Sequence, residues 1–142
     1  MSSWDKYTEV EFGAAMGFGH MLKFVSTSQN PRAVCYPEKY SDTLYFHMQD
    51  GRVYRMWHEQ DCCENVTIED ICGDMTDLTD AMIIKASLET KRGRGVDDVT
   101  GYEDSNTWSF YRIMTNKGEV VIRWHGSSNG YYSETVTFAL LD

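Results

Sequence analysis

The length and composition of the chain describe one acidic, globular domain. It has 142 residues, of which 42% are hydrophobic and 13% aromatic, with only two prolines. Such a composition is that of a folded chain with a core and excludes a disordered one. Thirteen Lys and Arg residues against 22 Asp and Glu residues give a net charge of -9. Because this charge repels a phosphate backbone, direct binding of DNA or RNA is disfavoured.

Residues 1–42 are predicted to form an N-terminal arm that carries a short helix. Thr8 is a candidate helix cap, whereas Gly13, Gly17 and Gly19 oppose a long regular helix. The segment has neither the basic start nor the apolar run of a signal peptide, and no window approaches the roughly 18 apolar residues of a membrane span. We therefore expect a cytoplasmic protein without membrane contact.

Residues 43–142 are predicted to form a β-rich body, because apolar and polar side chains alternate along most of it. The predicted elements are a hairpin with strands at 43–47 and 52–58 and an Asp50-Gly51 turn, a strand at 66–71, a capped helical turn at 74–80, a strand or buried helix at 82–89, a mobile loop at 91–105, and an antiparallel meander of strands at 107–114, 119–124 and 131–140. The predicted core side chains of the meander are Trp108, Phe110, Val120, Ile122, Trp124, Val136 and Phe138. The fold class expected is α+β, mainly β: a single domain over residues 1–142 with an antiparallel meander sheet, one or two short helices and the N-terminal arm.

Residues 58–64 (His-Glu-Gln-Asp-Cys-Cys-Glu) are the strongest indication of a chemical site. Thiolate and imidazole are ligands that suit zinc, and a further thiol follows nearby. The predicted ligands of a structural Zn²⁺ are His58, Cys62, Cys63 and Cys72. Adjacent cysteines in an extended chain point to opposite faces, so His47, His125 or a carboxylate is an alternative fourth ligand. The competing interpretation is ordinary core cysteines beside a surface histidine, with thiols that stay reduced in a cytosol.

Catalysis has weaker support in the same segment. Glu59 or Glu64 would serve as general base beside an open metal position, and Cys62 or Cys63 beside His58 would form a nucleophile. Neither an oxyanion hole nor an orienting third group is marked in the sequence. The sequence therefore predicts that the protein is not an enzyme.

The segment from residue 59 to residue 81 contains many carboxylates and no Lys or Arg. A partner with a basic surface would be steered towards it, and the alternative is a solvated acidic face that maintains solubility. The predicted partner-binding residues are Glu59, Asp61, Glu64, Glu69, Asp70, Asp74, Asp77 and Asp80.

A second constellation lies at residues 123–134. Arg123 and His125 precede a Gly/Ser/Asn loop with Asn129, and two tyrosines, Tyr131 and Tyr132, follow. These groups offer donors for an anion or a protein surface. The plainer interpretation is a hairpin loop in which Asn129-Gly130 supplies the positive φ.

A resemblance to a known family rests on four segments of the chain: residues 58–64, 66–70, 108–111 and 122–134. The motifs H-E-Q-D-C-C-E and I-R-W-x-G-x-S-N-G-Y-Y-S-E occur in order, and the chain resembles small proteins of tailed bacteriophages and prophages over about residues 44–140. It also looks like the metal-containing type II-A anti-CRISPR proteins that block Cas9 in streptococcal prophages. The resemblance implies an inhibitor of bacterial defence that acts in the host bacterial cytoplasm.

The function expected from these observations is a zinc-binding inhibitor whose acidic segment occupies a basic, nucleic-acid-binding surface of a host defence protein such as Cas9. One alternative is a sequestering protein that holds a nucleotide-derived immune signal with the residues around Arg123. A further alternative is a small metal-dependent enzyme.

Overall fold

The computed structural model describes residues 7–27, 42–60, 63–96, 103–129 and 133–141. In these ranges the chain is mainly β. The strands are β1 (Tyr7–Glu9), β2 (Met21–Ser26), β3 (Thr43–Met48), β4 (Val53–Trp57), β5 (Asn65–Cys72), β6 (Ala81–Val96), β7 (Glu103–Thr115), β8 (Glu119–Ser128) and β9 (Thr137–Leu141). A four-residue helix, α1 (Phe12–Ala15), lies between β1 and β2, and a 3-10 helix (Met75–Leu78) lies between β5 and β6.

The strands form one antiparallel sheet in the order β1-β9-β4-β3-β2-β6-β7-β8-β5. Its two halves, β1-β9-β4-β3-β2 and β6-β7-β8-β5, are joined where Met21 and Leu22 pair with Met82 and Ala81. The halves pack against each other, because their inward side chains belong to one buried cluster. β1 and β5 are the edge strands of the described sheet.

The core is built from alternate positions of each strand. On β8, Val120, Ile122 and Trp124 are buried while the residues between them are partly exposed. The indole Nε1 of Trp124 donates to Met56 Sδ of β4 at 3.2 Å, across the space between the halves. Such alternation is what a sheet with one buried face requires.

Helix α1 fills the core through one aromatic side chain. The ring of Phe12 meets Tyr111 of β7 at a centroid distance of 4.9 Å and Phe138 of β9 at 5.1 Å, both edge to face. Aromatic pairs prefer this geometry. The burial of Tyr111 raises the pKa of its phenol above the ordinary value.

Several predictions from the sequence are confirmed. The fold is mainly antiparallel β with short helices, the β3–β4 hairpin turns at Gly51 with φ +96°, and β5 contains the predicted strand at 66–71. The 3-10 helix is capped by Asp74, whose carboxylate accepts from Thr76 N. Among the described residues, no helix has the length and hydropathy needed to cross a bilayer.

Other predictions differ from the structure. Residues 91–96 and 103–105 belong to the paired strands β6 and β7 and not to a loop. The last strand, β9, pairs with β1 and β4 and not with β8, so the C-terminal third is not a simple meander. Residues 7–9 and 21–26 are strands of the sheet, so this part of the chain is not an arm docked on a separate body.

Candidate functional site

The two sequence motifs meet at one end of the sheet, where β4 ends and β5 and β9 begin. His58 Nε2 lies 2.7 Å from Glu64 Oε2, and His58 Nδ1 lies 2.6 Å from the carbonyl oxygen of Thr135. A carbonyl only accepts, so Nδ1 carries a proton, and a second proton lies between Nε2 and the carboxylate. We call His58, Glu64 and Thr135 the clasp, because they tie three strand ends together.

Glu134 extends the clasp to β7 and β8. Its carboxylate accepts from the hydroxyl of Thr107 at 2.8 Å and from that of Ser128 at 2.5 Å. Gly126 of β8 lies directly beneath, since a Cβ there would be 2.9 Å from Glu134 Cβ and 3.1 Å from a methyl carbon of Val66. These contacts explain why Gly126, Ser128 and Glu134 occur together in the second motif: they fix the segment that leads into β9.

Burial decides what the clasp can do chemically. The side chains of His58 and Glu64 are 1% and 0% exposed, so a substrate does not reach them in this conformation. Glu64 is therefore not placed to act as a general base, and it contributes nothing to an acidic surface. Glu59 is exposed, and its carboxylate accepts from the indole of Trp57 at 3.0 Å. The clasp is a buried, hydrogen-bonded contact that joins strand ends.

The predicted metal ligands do not come together among the described residues. Both ring nitrogens of His58 are engaged. The Cys63 sulfur is disulfide-bonded, which differs from the expectation of reduced thiols, and a disulfide sulfur is not a thiolate ligand. Cys72 is a free, exposed thiol at the far end of β5, about 23 Å from Asn65 for seven steps of an extended strand. Cys62 lies outside the described residues.

The alternative fourth ligands have other partners. His47 on β3 stacks on Phe24 at a centroid distance of 4.1 Å, and its Nε2 lies 3.2 Å from Ser26 Oγ. His125 on β8 lies against the ring of Trp108 at 4.6 Å. The described side chains among the predicted ligands therefore have other partners, and the zinc site stays a prediction.

Two of the predicted partner-binding carboxylates lie on the edge strand β5, and three lie in the 3-10 segment that follows it. A bulge between Ile68 and Asp70 interrupts the pairing of β5 with β8, and Glu69 is the extra residue. The carboxylates of β5 and of the following 3-10 turn form what we call the acidic strip: Glu69, Asp70, Asp74, Asp77 and Asp80. All are exposed except Asp77, which is half-buried, and Asp61 lies outside the described residues.

The second constellation is only partly described. Arg123 and His125 lie on the outer face of β8, and Asn129 is exposed just after its end. The paired tyrosines, Tyr131 and Tyr132, lie outside the described residues. The unexpected neighbours of Arg123 and His125 are aromatic.

Trp108 and Phe110 of β7 are those neighbours, and their prediction as core residues is wrong. Both are partly exposed on the outer face, while Ser109, Tyr111 and Ile113 alternate with them and are buried. Strand β7 carries large apolar side chains on both faces, so residue type alone does not identify which face is buried. The small Ser109 between two aromatic residues on the same face was the available signal.

The fold and the clasp together define the class: a mainly antiparallel β protein whose sheet packs on itself and is closed at one end by a buried His58–Glu64 hydrogen bond. A family model described as a domain of unknown function (DUF7448) matches residues 6–138, and the chain belongs to this family. A search of curated proteins and a search of solved structures each found no match. The family description states no activity.

Proposed function

We propose that this chain is a non-enzymatic, phage-encoded inhibitor that binds a basic surface of a bacterial defence protein through the acidic strip. The observation that supports this most is the strip itself. Five carboxylates lie on one edge strand and the turn after it, and no Lys or Arg occurs between residues 59 and 81. The summed field of such a cluster attracts a cationic partner.

Several strip carboxylates also have structural partners. Asp74 caps the 3-10 helix, Asp80 accepts from Gln49 Nε2 at 2.9 Å, and Asp70 lies 3.3 Å from Arg123. Charged residues and a bulge on an edge strand also hinder pairing with another sheet. Two cations approach the strip: Arg123 at Asp70, and Lys117, which donates to the carbonyl of Thr79. The structural roles account for single positions and not for the lack of cations across the whole segment.

The partner proposed is a protein that uses a positively charged channel to hold nucleic acid, with a Cas9-type effector as the first to test. The resemblance to phage anti-CRISPR proteins supports this choice. Covering the channel would prevent nucleic-acid loading in the host bacterial cytoplasm. Electrostatic complementarity would act mainly on the rate of association and on specificity.

Two variants with equal net charge test the proposal. The strip variant carries Glu69→Gln, Asp74→Asn, Asp77→Asn and Asp80→Asn, which change the net charge from -9 to -5. Asn retains capping ability at position 74 and tolerates the positive φ of +48° at position 80. The control variant carries Glu9→Gln, Glu11→Gln, Asp50→Asn and Glu89→Gln, which also give -5 at exposed positions elsewhere.

The measurement is how strongly each protein variant inhibits the loading of guide or target nucleic acid onto the purified effector at low salt. We expect the strip variant to lose about tenfold or more in inhibitory potency and the control variant to stay close to the wild type. Equal losses in both variants would indicate an effect of net charge alone. Full potency in the strip variant, with the fold verified by circular dichroism, would remove the proposal.

A further inference from the structure

The outer face of the second half of the sheet carries an ordered pattern of side chains. Paired residues of antiparallel strands lie on the same face, so the register defines cross-strand rows. One row consists of Lys91, Trp108, His125 and Thr67. The next row consists of Glu89, Phe110, Arg123 and Asp70. We call the surface of Trp108, Phe110, Arg123 and His125 the aromatic face.

Two near-parallel rings form its centre. Trp108 and Phe110 are inclined by 10° with centroids 6.2 Å apart. The guanidinium carbon of Arg123 lies 5.1 Å from the Trp108 centroid and 6.0 Å from that of Phe110. All of these side chains are partly exposed, so planar apolar surface and a fixed cation are presented together.

The charge of this face is balanced, unlike that of the chain. The register places four cations, Lys85, Lys91, Arg112 and Arg123, and four carboxylates, Asp70, Glu89, Asp104 and Glu119, at the outward positions of β5, β6, β7 and β8. The net charge of the chain is -9. Arg123 Nε is buried and lies 3.3 Å from Asp70 Oδ1, while the Arg123 side chain as a whole is 36% exposed. An anion would therefore meet the exposed part of Arg123 and the exposed Lys91 on this face.

We infer that the aromatic face binds a nucleotide, with the base stacked against Trp108 and Phe110 and the phosphate beside Arg123 and Lys91. Aromatic side chains on an open sheet face, flanked by cations, are a physical means by which sheets hold unpaired bases. Two rings suffice for one or two bases, and the overall charge opposes a longer strand. The site is formed by β6, β7 and β8, meets the acidic strip only at Asp70, and does not depend on the proposed function.

The test is a titration of isotope-labelled full-length protein, followed by NMR, with AMP as the probe. We expect saturable shifts of the Trp108 indole and of Arg123. Adenosine, which lacks the phosphate, and ribose 5-phosphate, which lacks the base, should bind more weakly. A single-stranded decamer tests whether a strand binds more tightly than AMP, and hexaglutamate tests whether any polyanion binds as well. Trp108→Ala should weaken AMP binding about fivefold to a hundredfold, the loss expected for one stacking partner.

Two further variants keep the result interpretable. Tyr45→Ala removes an aromatic ring that also lies beside an arginine, Arg55, but on the other half of the sheet, and AMP binding should not change. Lys91→Gln alters an exposed side chain and should weaken AMP binding but not adenosine binding. Tighter binding of the decamer than of AMP would assign the site to strand ends rather than free nucleotides. The inference is overturned if neither AMP nor the decamer gives saturable shifts, if Trp108→Ala has no effect, or if hexaglutamate binds as well as AMP.

Discussion

At the scale of single residues, the clasp shows how an apparent catalytic motif becomes a structural one. His58 and Glu64 carry the groups of a general acid and base, but their side chains are 1% and 0% exposed. A buried pair of this kind is costly to desolvate and costly to break, because removal of one member leaves the other without its partner. The pair therefore contributes more to the geometry of the strand ends than to net stability.

A double-mutant cycle tests this interpretation of the clasp. Glu64→Ala alone should lower the free energy of unfolding by about 3–5 kcal/mol, since His58 is left buried beside a void. His58→Phe combined with Glu64→Leu should cost clearly less than the sum of the two single changes. Urea unfolding followed by tryptophan fluorescence gives the four values, and strict additivity would show that the two residues do not act as a pair.

His47 provides a prediction about pH. Burial first, and then the nearby charge of Lys23, lower its pKa from the ordinary 6.5. The folded state thus binds fewer protons than the unfolded state, and stability is lost as pH falls from about 6.5 through the lowered pKa. The difference in unfolding free energy between wild type and His47→Gln, measured by urea titration across this range, should shrink as pH falls. A difference that grows would contradict the assignment.

At the scale of elements, local patterns predicted what local interactions determine. The β3–β4 hairpin was readable because Asp50-Gly51 fits its turn, and the 3-10 helix because Asp74 caps it. The position of β9 in the sheet cannot be predicted from local sequence, since its pairing with β1 and β4 depends on contacts with distant segments. The strand ends at 91–96 and 103–105 looked like a loop because they have few apolar side chains, yet they are held by pairing with each other.

The candidate site was predicted only in part for the same reason. His58 and Glu64 were recognised as unusual, but their partner Thr135 is 77 positions from His58. No local spacing rule brings the two together. Cys72 seemed close to Cys63 along the sequence, and the extended geometry of β5 separates them.

Gly126 tests whether the second motif is structural. Its replacement by Ala would place a Cβ 2.9 Å from Glu134 Cβ and 3.1 Å from Glu134 O. We expect a loss of about 1–3 kcal/mol in unfolding free energy, as for other overpacked sites. Ser127→Ala, on the opposite face of the same strand, is the control and should change stability by less than about 0.5 kcal/mol. Equal stability of both variants would show that the segment moves away at no cost.

The cysteines give a prediction about chemistry at the ends of β5. Cys72 should react with iodoacetamide in the folded protein without pretreatment, because its thiol is free and exposed. Cys63 should react only after reduction, since its sulfur is disulfide-bonded. Peptide mapping by mass spectrometry distinguishes the two. Labelling of Cys63 after a chelator alone, without reductant, would indicate a metal thiolate instead.

At the scale of the whole molecule, the surface has two regions of different character. The acidic strip lies on β5 and the 3-10 segment after it, whereas cations and carboxylates balance on the aromatic face in a chain of net charge -9. Asp70 lies between them, paired with Arg123. A partner attracted by the strip would therefore meet aromatic and arginine side chains next, which are frequent at the centre of protein interfaces.

The dependence of partner binding on ionic strength tests the central claim most directly. Affinity for the Cas9-type effector should fall steadily as salt is raised, because attraction between exposed charges is screened. The slope should be clearly smaller for the strip variant and unchanged for the control variant of equal net charge. An affinity that does not respond to salt, or equal slopes in the two variants, would contradict the claim that the strip recognises the partner.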